Sequence, residues 1–108
     1  MSDAEAEFPD DANGDVLRRL LEDGDDLRKP RDVDFSVAFP NSRSAKAFAR
    51  LAEAQGHRAR LEGHEPRDVT IVRNMLPTHA GITAFEDELD RLATPLGGRN
   101  DGWGCFPQ

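Results

Sequence analysis

Val33-Asp34-Phe35-Ser36-Val37-Ala38-Phe39 is the stretch whose reading decides the fold. Its apolar residues at 33, 35, 37 and 39 alternate with Asp34, Ser36 and Ala38, and a period of two puts successive side chains on opposite faces of a strand. Pro40 ends the pattern. Toward the N-terminus, the charged, proline-containing segment 25–31 reads as a connection. Before it, Val16, Leu17, Leu20 and Leu21 recur at helical spacing between Asp11 and Asp23. Asp10, Asp11 or Asn13 offers a cap for that helix and Gly24 a stop. Residues 1–9 lack periodicity and read as a flexible acidic tail, leaving 10–108 as a single domain.

Toward the C-terminus the period returns to that of a helix. Asn41 or Ser42 can cap a segment in which Ala45, Phe48, Ala49 and Ala52 form an apolar stripe, with Gly56 as terminator. The polar run 57–62 suits an edge strand, and 63–66 a turn. Residues 67–76 carry Val69, Thr70, Ile71, Val72, Met75 and Leu76, a nearly continuous β-branched and apolar run that predicts a well-buried strand. Ile82, Phe85, Leu89 and Leu92 then mark a one-sided helix, stopped by Pro95, Gly97 and Gly98. A short last strand over 101–106 is predicted to begin at an Asp101-Gly102 turn. The order is one helix followed by β-α-β-β-α-β. Right-handed crossovers make an α+β ferredoxin-like sandwich with an additional N-terminal helix the simplest solution, with 33–39 and 67–76 as its central strands.

The composition bounds the function. A chain of 108 residues has room for one hydrophobic core. Its formal net charge of −7 opposes tight binding to nucleic acid, where Lys and Arg must neutralise phosphates, so no direct nucleic-acid contact is expected. An acidic surface favours a protein partner with a basic patch, although solubility alone also explains it. No run approaches the roughly 20 apolar residues of a membrane span, and the N-terminus is acidic where a signal peptide is basic and then apolar. The one cysteine, Cys105, agrees with a reducing compartment, and a cytoplasmic location is expected.

Chemistry is hard to find. His57, His64, His79 and Cys105 lack metal-ligand spacing and read as ordinary surface or loop residues. Nothing near Gly102-Trp103-Gly104 lowers the Cys105 thiol pKa as a nucleophile requires. Gly97-Gly98 and Gly102-x-Gly104 follow a helix instead of joining a strand to a helix N-terminus, the context a phosphate loop needs. No cofactor is implied. Glu86, Asp87, Glu88 and Asp90 lie on the polar face of the last helix and read as solvated, which makes them the best dock for a basic partner. Trp103 reads equally as an interface anchor or as edge-strand packing.

The order of elements, the segment Gly81-Ile82-Thr83-Ala84-Phe85-Glu86 and the motif Asp101-Gly102-Trp103-Gly104 together resemble the ribonuclease E regulator B family, over about residues 11–106. The resemblance implies a non-catalytic ferredoxin-like inhibitor that binds ribonuclease E itself, whose noncatalytic part is known for Arg-rich segments. That family usually has an aromatic residue where this chain has Asn100, acidic residues where it ends Phe106-Pro107-Gln108, and a longer acidic segment where it has the compact turn around His64-Glu65-Pro66. Partner-binding roles are therefore expected of Glu86, Asp87, Asp90, Asp101, Gly102 and Trp103. The alternatives are an adaptor or immunity-type domain that binds another protein, and then a small-molecule-binding domain or enzyme.

Overall fold

The structure, a computed structural model, describes residues 11–24 and 26–105. The segment read as an acidic tail and Phe106 lie outside the described residues. The elements are α1 (Ala12–Glu22), β1 (Arg31–Ala38), α2 (Ser42–Ala54), β2 (Arg58–Leu61), β3 (Asp68–Met75), α3 (His79–Ala93) and β4 (Arg99–Cys105), with a 3₁₀ turn over Thr94–Leu96. The strands form one antiparallel sheet in the order β2-β3-β1-β4. That is the ferredoxin-like order. The most apolar segments, β1 and β3, hold the centre, and the polar β2 lies at a margin.

One face of the sheet carries the core. Val33, Phe35, Val37 and Phe39 are buried beside Val69 and Ile71, and the helices cover them with Leu17, Phe48, Ile82, Phe85 and Leu89. Phe35 meets Phe85 edge-on, ring centroids 4.8 Å apart, and Phe39 packs against Phe48 at 5.0 Å. Such offset contacts add to the stabilisation that burial itself supplies. The opposite face is open. There Asp32 of β1 accepts from Arg58 at 3.0 Å and from Asn74 at 3.2 Å, and the Asn74 contact, then Arg58, lowers its carboxyl below the usual value.

Each helix starts at a side-chain cap. Asp11 accepts the Gly14 amide, Asn41 that of Ser44, and Thr78 that of Gly81. The Thr78 cap starts α3 at His79, three residues before the first position of the hydrophobic repeat, because capping residues are polar and leave no periodic mark. At the other end of α3, Gly98 approaches the Phe39 ring so closely that a Cβ there would lie 2.3 Å from Cε1. The Gly97-Gly98 pair therefore belongs to packing.

Two expectations need correction. The run 67–76 is fully buried only over Val69–Ile71. Val72 is half-buried, and Arg73 and Asn74 are exposed. A two-layer sandwich covers one sheet face, so Val72 points to the open side, and Arg73 ends over the Phe85 ring, 4.5 Å from its centroid. The last strand starts at Arg99, and Asp101-Gly102 is not the turn before it. Phe35 pairs with Trp103 and Val37 with Asn100, so Asp101 and Gly102 together oppose Ser36 as a β-bulge. Gly102 holds φ at 105°, the conformation that made Asp-Gly read as a turn.

Among the described residues, no helix is long and apolar enough to cross a membrane.

Candidate functional site

The six residues expected to bind a partner gather at one edge of the molecule, where α3 runs beside β4, but they differ in what they do there. Trp103 pairs with Phe35 and so faces the helix layer, where it packs against the core, half-buried. Its indole Nε1 donates to Asn13 Oδ1 at 2.8 Å. Of the two readings of this tryptophan, the geometry supplies the packing one. Asn13, in the first turn of α1, passes the chain on: its amide donates to Glu86 Oε1 at 2.7 Å and to Thr83 Oγ1 at 3.1 Å. The other Glu86 oxygen accepts from the Asn100 side chain.

Glu86 is thus half-buried and joins α1, α3 and β4, contrary to its reading as a solvated carboxylate. Glu88, also half-buried, lies 3.1 Å from His57 Nε2. Two of the histidines read as ordinary surface or loop residues have defined partners. His57 sits edge-on to Phe85, and His79 Nε2 is 2.9 Å from Asp11. The Asp11 carboxyl is held below its usual value, first by the Gly14 amide and then by His79. The contacts of Asp11 and Asn13, together with buried Leu17, fix α1 to the body of the domain.

Asp90 stands one turn beyond Glu86 on α3. Burial raises its carboxyl above the ordinary value, and the nearby charges of Asp87 and Glu86 add to that, against the lowering effect of the Asn100 amide. A carboxyl whose pKa rises on folding loses stability when ionised. That cost is complete above its folded pKa and vanishes below its unfolded value of about 3.8. Asp90→Asn removes the charge that burial disfavours, so it is expected to raise the melting temperature at pH 7 and to leave it unchanged near pH 3. Thermal unfolding at the two pH values checks this, and a variant no more stable than the parent at pH 7 contradicts it.

Asp87 and Asp101 complete the edge. Both are exposed, and neither has an ion-pair partner among the described residues. Arg91, a turn beyond Asp87, pairs with none of these carboxylates among the described residues. Gly102 carries no side chain, and its place in the bulge presents Asp101 to solvent. Asp87 and Asp90, close enough to interact, form an acidic rim on α3 beside the hydrogen-bonded set of Asn13, Glu86, Asn100 and Trp103, and Asp101 stands on neighbouring β4, opposite Ser36. The open sheet face offers less to a charged partner, because Arg58 and Arg60 already pair with Asp32 and with Glu62 and Asp34. Among the described residues, no group of three or more His, Cys, Asp or Glu is placed to hold a metal ion.

Comparison with known families gives a match over residues 10–105 to the family described as Regulator of ribonuclease activity B. The chain belongs to the Regulator of ribonuclease activity B family. The match takes in the whole sandwich, from the cap of α1 to the end of β4, and so includes the rim and the hydrogen-bonded set beside it. Membership places the protein among regulators of ribonuclease activity. Among curated proteins none matches the chain. Sequence reasoning missed Asn13 and Asn100 as site residues. For the second, the one signal is that the resemblance implies an aromatic residue where this chain has Asn100, whose side chain supplies amide donors that an aromatic ring cannot.

Proposed function

We propose that this protein is a non-catalytic regulator that binds ribonuclease E directly through the acidic rim of Asp87 and Asp90 and the neighbouring Asp101. The observation that carries the reading is the exposure of Asp87 and Asp101, carboxylates without an ion-pair partner among the described residues, in a member of a family of ribonuclease regulators. Arg-rich segments of the enzyme supply the complementary charge, and such complementarity speeds encounter and selects the partner. Trp103 and Glu86 act from beneath by holding the edge in shape. Gly102 sets the exposure of Asp101.

The direct test is RNA cleavage by purified ribonuclease E from the same organism, with and without a molar excess of this protein. Slower cleavage, with intact RNA when this protein is incubated alone, is the expected result. Unchanged cleavage, or RNA turnover by this protein alone, overturns the proposal.

A further inference from the structure

β2 lies at the margin of the sheet opposite β4, and its outer backbone is open. Antiparallel ladders turn alternate residues toward opposite neighbours. The Phe39 amide, just past β1, donates to the Arg67 carbonyl at 2.9 Å, which turns the odd-numbered residues of β1 and β3 toward each other and the even-numbered residues of β3 toward β2. Arg60 pairs with Thr70 and Arg58 with Val72, so the N–H and C=O groups of Ala59 and Leu61 point away from the sheet. Among the described residues neither N–H donates a hydrogen bond, and Leu61 is exposed.

Cations frame this margin. Arg58 and Arg60 stand on the open sheet face, where they already share Asp32, Asp34 and Glu62. On the other side α2 packs along β2, with its core stripe at Ala45, Phe48, Ala49 and Ala52. At about 100° per residue, Lys46, Arg50 and Glu53 lie roughly a quarter turn past that stripe. In a right-handed β1-α2-β2 connection that flank faces outward, beyond β2. Lys46 and Arg50 are exposed, neither has an ion-pair partner among the described residues, and Glu53 is the one carboxylate of α2. Like charges four residues apart on a helix oppose each other, so this pair weakens α2 unless an anion meets it.

We infer that the β2 margin takes an extended acidic segment of a partner protein as a fifth strand. Ala59 and Leu61 supply the backbone hydrogen bonds, and Lys46 and Arg50 meet carboxylates that alternate along the helix-facing side of the added strand. A short charged edge resists indiscriminate pairing, and here the sign of the charge also selects. A second copy is disfavoured, because a two-fold axis beside β2 brings Lys46 and Arg50 of each copy toward the same residues of the other. The inference is separate from the partner proposed above, since its test contains no ribonuclease E.

The probe is an acetylated octapeptide of alternating Glu and Thr, with alternating Lys and Thr as its control, titrated into the isotope-labelled protein and followed by magnetic resonance. The acidic peptide is expected to bind with a dissociation constant of roughly 10–500 µM and, near saturation, to slow hydrogen exchange at Ala59 and Leu61 at least about fivefold, and the Lys peptide to do neither. Lys46→Glu/Arg50→Glu is expected to weaken binding at least about fourfold. No binding of the acidic peptide, equal binding of the Lys peptide, binding without protection at Ala59 and Leu61, or unchanged affinity in the charge reversal overturns the inference. So does protection of these amides that grows with protein concentration in the absence of peptide, which gives the margin to a second copy. Should the reversal fail to fold, Lys46→Gln/Arg50→Gln decides: a loss of at least about twofold is expected, and unchanged affinity overturns the role of the two cations.

Discussion

Phe35→Ala is expected to destabilise the protein by about 3–5 kcal/mol and to lower its melting temperature by roughly 15–25 °C. Phe35 has no exposed surface, stands in the central strand and meets Phe85 at 4.8 Å. Truncation removes its transfer free energy and leaves a cavity between sheet and α3 that the surrounding aromatic rings cannot fill by small shifts. A domain of this size holds about 5–15 kcal/mol in total, so the loss takes a large share. Chemical denaturation of parent and variant measures the effect. A loss under about 1 kcal/mol contradicts the placement of Phe35 at the centre of the core.

The second large effect concerns binding. Asp87→Lys/Asp101→Lys reverses two exposed carboxylates that take no part in the network beneath them. An exposed ion pair contributes about 0.2–1 kcal/mol, and reversal replaces each attraction with a comparable repulsion, so affinity for ribonuclease E falls by between about fourfold and about a thousandfold. The melting temperature stays within a few degrees of the parent's. Trp103→Ala and Glu86→Ala differ in kind, because each breaks the contacts that fix α1 to β4 and costs stability before it says anything about binding. Unchanged affinity in the double reversal, with the fold intact, removes the rim from the proposal.

How much of this was legible in the sequence depended on whether a residue's role is written in its near neighbours. The alternation from Val33 to Phe39 was enough to place β1, because burial on one sheet face repeats every second residue. Strand order followed from chirality and from the polar character of β2. The role of Glu86 was out of reach, since its partner Asn13 lies 73 residues away and hydrophobic periodicity says only that Glu86 is off the core stripe. The Asp101-Gly102 signal was read as a turn and is a bulge, because both favour a glycine with positive φ there. For Trp103, the chain offered an apolar body and one N–H donor, and nothing local could say that α1 holds the acceptor. The rim itself was partly visible. Asp87 and Asp101 are as exposed as the polar helix face and the Asp-Gly motif suggested, whereas Asp90 is half-buried and Glu86 is drawn into a hydrogen bond with Asn100.

The central claim, direct and charge-guided binding to ribonuclease E, is tested most directly by titration calorimetry with the purified enzyme at a low and a high salt concentration. The account predicts micromolar or tighter binding at low salt that weakens as salt rises, because screening shortens the reach of exposed charges from about 30 Å at 0.01 M to about 10 Å at 0.1 M. No detectable heat of binding at either salt, or an affinity indifferent to salt, contradicts it.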